Sequence, residues 1–178
     1  MSSKVFTSII EKIKLVINTL LVEYPSPTTG LIYNSPFELL IATILSAQCT
    51  DKMVNNVTPQ LFKIYSTPQK LANADIIDIV EIIRPTGFFN SKAKKITETS
   101  KILFKEYDSK VPLNIDELLT LPGVGRKTAN CVIGRYSQPV GIVVDTHVKR
   151  LSKRIGFTTK SQPQDVENDL MLITPIES

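Results

Sequence analysis

Helix-start signals recur along this 178-residue chain so closely that they leave little room for anything else. Ser35-Pro36-Phe37-Glu38 combines a serine able to cap a helix, a proline at the first helical position and a glutamate three residues after the cap. That capping box launches Phe37 to Gln48, apolar enough (LLIATIL) to be a central buried helix. Thr50 or Asp51 caps the next helix, to about Tyr65. Thr67-Pro68 starts a short one, and Asp75 to Ile83 makes another. An amphipathic helix from about Val5 to Glu23 precedes them and stops before Pro25 and Pro27. The pattern breaks at Arg84-Pro85-Thr86-Gly87-Phe88-Phe89-Asn90, after which Ser91 caps a basic helix to about Tyr107. Asn114 caps a short helix ending near Leu119, and a glycine turn joins it to a helix at Lys127–Tyr136. Asp145 caps Thr146–Ile155, and Pro163 to Ile173 forms the last. The run Gly141 to Val144 is strand-like but too isolated to build a sheet. The expectation is an all-α fold of about ten helices joined by short loops.

Composition narrows the function classes. No apolar run reaches transmembrane length, and the N-terminus lacks the apolar core of a signal peptide, so a cytoplasmic, nucleoid-associated protein is expected. Cys49 and Cys131 lie far apart and His147 is the sole histidine, an inventory from which no zinc site or four-cysteine cluster can be assembled. Both cysteines fall in apolar helical patterns and read as packing residues. Net charge is +4, unevenly spread: residues 84–154 hold 14 Lys and Arg against 6 Asp and Glu. A surplus of this kind is often only a solvated face, but here it surrounds the glycine turn and points to a polyanion partner.

Within Leu121-Pro122-Gly123-Val124-Gly125, proline ends one helix, and the two glycines admit backbone angles and close approaches closed to other residues. The amides of the turn and of the following helix start then point outward, where a phosphate can accept from them with help from the helix dipole. Lys127 rides the first turn of that helix beside Arg126. Both neighbours disfavour a further positive charge, which biases the amine toward the neutral form a Schiff-base nucleophile needs. Asp145, eighteen residues on, caps its own helix and stays ionised and rigidly aimed while doing so.

LPGVGRKTA followed at this distance by VDTHV resembles the helix–hairpin–helix and Gly/Pro…Asp signature of the endonuclease III family of DNA base-excision glycosylases. The blocks Ser35–Ile41, Ser46-Ala47-Gln48 with Thr50-Asp51, and Asn90-Ser91-Lys92-Ala93 resemble further segments of that family, in family order. The resemblance implies a protein that binds damaged duplex DNA, kinks it and flips a lesion out of the stack. It implies Lys127 as the nucleophile at C1′ of the sugar and Asp145 as the carboxylate that assists its deprotonation. Gln48 would fill the gap left by the flipped nucleotide. Phe88 stands where the family usually places an aliphatic wedge. Gly123, Gly125 and Arg126 would hold the backbone, with Lys92, Lys94, Lys95, Lys149 and Lys153 as phosphate contacts. His147 reads as structural or as a minor DNA contact.

The implied architecture is two helical lobes with the active site between them. Residues 1–30 supply a helix of the second lobe, 31–140 a barrel-like domain with the helix–hairpin–helix at 115–136, and 141–178 the return into the second lobe. Family members usually continue into a four-cysteine loop holding a [4Fe-4S] cluster. This chain ends at Pro175-Ile176-Glu177-Ser178 without it, so either a cluster-free or a truncated product is expected. The face formed by Phe6, Ile9, Ile10, Ile13, Leu15, Val16 and Leu20 would then lack part of its cover. A monomer of lowered stability, able to self-associate through that face, follows. The expected function is a bifunctional glycosylase and AP lyase acting on oxidised pyrimidines. Its rivals are an inactive or truncated DNA-binding module and a monofunctional mismatch adenine glycosylase. Lys127 speaks against the last, which usually has no lysine there.

Overall fold

The computed structural model describes residues 3–25 and 29–175, with side chains from Ser8 onward; the Phe6 side chain, Pro27 and the terminal Ile176-Glu177-Ser178 lie outside these. Ten α-helices and one 3-10 turn make up the described residues, with no strand among them. They are α1 (Ser3–Glu23), α2 (Pro36–Leu45), α3 (Asp51–Ile64), α4 (Pro68–Ala72), α5 (Ile76–Ile83), α6 (Phe89–Glu106), α7 (Ile115–Thr120), α8 (Arg126–Tyr136), α9 (Thr146–Ile155) and α10 (Pro163–Ile173). The 3-10 turn, Arg84–Thr86, joins α5 to α6. The chain forms two compact units: residues 29–140, and residues 1–28 together with 141–178.

In the larger unit, α2 is the central element. Every residue from Phe37 to Leu45 is buried, and Leu39, Leu40, Ile41, Ala42 and Leu45 are wholly so. Each such leucine or isoleucine side chain contributes about 1.5–3 kcal/mol by leaving water, which outweighs the modest helix propensity of its isoleucines and threonine. Ser35 caps it, accepting from the Glu38 amide at 3.1 Å. The carboxylate of Glu38 reaches one residue further back than a capping box requires, to the Asn34 amide at 2.7 Å and the Asn34 side chain at 3.1 Å. Thr50 rather than Asp51 caps α3, and Thr67, Asp75 and Asn114 cap α4, α5 and α7 as their side chains predict. Ser91 does not cap α6. That helix starts two residues earlier, directly after Phe88 in the left-handed region, and Ser91 lies exposed within its first turn.

The smaller unit packs α1 against α10 and the segment before α9. Ile13, Val144, Phe157, Val166, Leu170 and Ile173 form its core, with Ile9, Val16, Ile17 and Ile142 packed partly against it. The α1 face expected to lack part of its cover is buried at Ile13 and partly buried at Ile9 and Val16, while Leu15 and Leu20 are exposed, as are Leu21 and Val22. The strand-like run finds no partner strand. Its alternation still has a use, because Val144 enters the core and Ile142 packs partly against it from the connector before α9. The α9 C-terminus is closed by Gly156 (φ 87°), with Phe157 N–H donating to Ser152 O at 2.8 Å, and Lys12 Nζ donates to the Ile155 carbonyl at 2.5 Å.

Candidate active site

The hairpin in the larger unit is built from α7, a tight turn and α8. Leu121 and Val124 point into the core, and Val124 N–H donates to Leu121 O at 3.1 Å across the turn. Thr99 on α6 donates to the Pro122 carbonyl at 2.8 Å and pins the turn from behind. Gly125 occupies the N-cap of α8, and no side-chain hydrogen bond closes that helix start. Among the described residues, six other helices, α2, α3, α4, α5, α7 and α9, have a capping oxygen there. An uncapped start with no acidic residue in its first turn is the local geometry an anion can occupy.

The two glycines have different reasons. Gly123 has φ 80°, and a Cβ on it would stand 3.0 Å from Lys95 Cδ, 3.2 Å from Lys95 Cβ and 3.3 Å from Ile44 Cγ2. Gly125 has an ordinary φ and open space where a Cβ would go. Gly123→Ala is therefore expected to lose about 1–3 kcal/mol in urea unfolding. Gly125→Ala should lose only about 0.5 kcal/mol, the usual difference at an N-cap. Equal losses at the two positions would show that the turn does not depend on the left-handed angle or the close approach of α2 and α6.

Lys127 is exposed on the first turn of α8. One helical turn on, Cys131 is half-buried. Burial pushes its thiol up from the ordinary range, a hydrogen bond with Thr43 and the Lys127 charge pull it down, and Asp51 pushes it up again. The thiol is thus protonated and a packing residue rather than a rival nucleophile. Cys131 gathers Thr43 of α2, Asp51 of α3 and Lys127 of α8 around itself, a grouping visible in sequence only as the i, i+4 spacing of Lys127 and Cys131. Cys49 lies in the connection between α2 and α3, not in a helix as its apolar surroundings imply.

Gln48 and Phe88 are both exposed, on turns of this same unit, and both have positive φ, 52° and 48°. Helix α2 ends at Leu45, three residues before the expected Gln48, and this frees Gln48 to turn. Non-glycine residues in the left-handed region cost stability, which the surrounding structure must offset, and such residues gather at binding sites. Phe88 is 68% exposed although it is one of the largest apolar side chains in the chain. Arg84 lies over the ring of the next residue, Phe89, 5.2 Å from its centroid.

Lys92 departs from its expected role as a phosphate contact. It is buried, 4% exposed, and Nζ donates to the Thr86 carbonyl at 2.8 Å, so its charge is turned into the protein. The signal that finds this is helical spacing: Lys92 shares its face with Ile96, Thr99 and Leu103, all buried. Lys94 and Lys95 stay exposed, Lys94 3.9 Å from Glu98.

In the smaller unit, Asp145 is the N-cap of α9. Its Oδ1 accepts from the His147 amide at 2.9 Å and the Val148 amide at 2.8 Å. His147 is exposed, Lys149 half-exposed, and Lys153 donates to Ser161 Oγ at 2.8 Å. Among the described residues no three His, Cys, Asp or Glu side chains gather where a metal could bind. Two cysteines, one in a connection and one in α8, cannot supply the four thiolates of a [4Fe-4S] cluster, so the residues present do not fit that group. No helix among the described residues is long and apolar enough to cross a membrane.

A model of the HhH-GPD superfamily of base excision DNA repair proteins matches residues 41–175. Endonuclease III of Synechocystis sp. is 50% identical over 153 residues, covering 85% of this chain and 70% of that protein. Endonuclease III of Bacillus subtilis is 42% identical over 155 residues, covering 86% and 71%. Among solved structures, a non-covalent endonuclease III–DNA complex matches with a TM-score of 0.88 at 41% identity, over 93% of this chain and 78% of that one. A trapped endonuclease III–DNA covalent intermediate matches at 0.87, with the same identity and coverage.

Proposed function

The chain belongs to the endonuclease III family of HhH-GPD base excision DNA repair proteins, and from that premise we propose that it is a bifunctional DNA N-glycosylase and AP lyase. It acts on double-stranded DNA carrying oxidised pyrimidines or abasic sites. The observation that carries this reading is Lys127 itself, an exposed amine on the first turn of the uncapped helix that follows the hairpin. A phosphate held by that helix start brings a sugar of the same strand to the amine, and positioning of this kind supplies much of the rate.

The chemistry then follows from the groups. Lys127 Nζ gives its lone pair to C1′ as the bond from C1′ to the base breaks, and the base leaves with the bond's electrons and takes a proton. Asp145 accepts the proton the amine must lose, and its negative charge steadies the positive charge developing on the sugar. Opening of the sugar ring gives an iminium between C1′ and Nζ. This acidifies the C2′ hydrogen, and its loss expels the 3′ phosphate and breaks the strand. Gln48 occupies the space of the flipped nucleotide and Phe88 enters the stack beside it. Gly123, Gly125 and Arg126 hold the backbone at the hairpin, and Lys149 adds a phosphate contact on α9.

Duplex DNA containing thymine glycol or an abasic site, incubated with the protein and then reduced with borohydride, tests the proposal. The expected result is a covalent protein–DNA adduct of one-to-one mass together with strand cleavage in the unreduced reaction. Binding without an adduct would make the protein a DNA-binding module. Base release with an intact strand would make it a monofunctional glycosylase.

A further inference from the structure

The buried amine of Lys92 has no part in that chemistry, yet it stands at the root of the turn that carries Phe88. Its Nζ donates to the carbonyl of Thr86, and Thr86, 2% exposed, donates its own hydroxyl to Ile83 O at 2.8 Å. The next two residues, Gly87 (φ 69°) and Phe88 (φ 48°), are both left-handed. A methionine or leucine would fill the same volume without the cost of burying an ammonium. What the lysine adds is a charged donor fixed on the carbonyl that precedes Gly87 and Phe88; the glycine takes its positive φ freely, whereas the phenylalanine holds a left-handed conformation that it does not favour by itself. Burial pushes the amine below its usual range, and the Cys49 thiol, close by, acts in the opposite direction. Cys49 is the neighbour of Gln48, so the amine lies near the turn of Gln48 as well as that of Phe88, each an exposed side chain at positive φ.

We propose that Lys92 is a positioning residue for Phe88: its ammonium, tied to the Thr86 carbonyl, holds the Gly87–Phe88 turn in the conformation that presents the ring to the base stack. The inference rests on the reading of Phe88 as the wedge. It acts on DNA distortion, not on the reaction at the sugar.

The test uses duplex DNA with a 2-aminopurine beside a tetrahydrofuran abasic analogue, whose fluorescence rises when the neighbouring base unstacks. Each signal is scaled to the fraction of protein trapped by borohydride on natural abasic DNA at saturation, which counts folded enzyme. Phe88→Ala is expected to abolish the rise, and Lys92→Met to reduce it about five-fold or more, with the double variant no worse than Phe88→Ala alone. Lys92→Gln, which keeps a donor toward Thr86, is expected to retain more of the rise than Lys92→Met. A full rise in Lys92→Met, or equal rises in the two Lys92 variants, would overturn the inference while leaving the wedge standing. A full rise in Phe88→Ala would overturn the wedge and the inference with it.

Discussion

Lys127→Gln is expected to abolish the borohydride adduct and to lower base release by about 10³-fold or more, because no other step can replace a missing nucleophile. The substitution isolates chemistry unusually well. Lys127 is exposed on the first turn of α8, and glutamine has a similar helix propensity, so unfolding should stay within about 0.5 kcal/mol of wild type. DNA affinity should fall only by the share of one exposed positive charge, with a correspondingly smaller salt slope. Adduct yield, base release, affinity and melting temperature measured on one preparation separate these effects. An adduct undiminished in Lys127→Gln would move the nucleophile to another amine and remove the central claim about the hairpin. Loss of adduct together with loss of binding would instead make Lys127 a DNA contact.

Helix starts were legible because capping is local physics. Ser35, Thr67, Asp75, Asn114 and Asp145 each accept from amides two or three residues ahead, and no distant residue is needed to form those bonds. The central burial of α2 was legible because a run such as LLIATIL has no polar face to turn outward. Other features depend on residues far away in sequence. Nothing in the side chains of Gln48 or Phe88 favours the left-handed region; the packing around their turns imposes it, and Ser91 lost its expected capping role to the same turn. Lys92 reads as a surface charge beside Lys94 and Lys95 until helical spacing aligns it with Ile96, Thr99 and Leu103. The catalytic candidates sit on the legible side of this division. Lys127 and Asp145 occupy helix starts, where glycine, proline and aspartate leave a readable pattern.

Asp145→Asn is the second large effect, and its value lies in what asparagine keeps. Asn and Asp are equivalent as N-caps, and an asparagine Oδ1 can accept from the His147 and Val148 amides as Asp145 does at 2.9 and 2.8 Å. The start of α9 is thus preserved while one negative charge is removed. If Asp145 serves mainly as a cap, base release from thymine glycol DNA should barely change. If its charge takes the proton from the amine and steadies the developing sugar cation, base release should fall by about 10²–10⁴-fold, the range of a lost general base. DNA affinity should then hold or rise slightly, since a carboxylate near the phosphodiester backbone is repulsive and its neutralisation removes that cost. Single-turnover base release and equilibrium binding on the same duplex decide the matter. A collapse of affinity with release scaled to occupancy would leave Asp145 a structural cap, and the carboxylate of the mechanism would have to come from elsewhere.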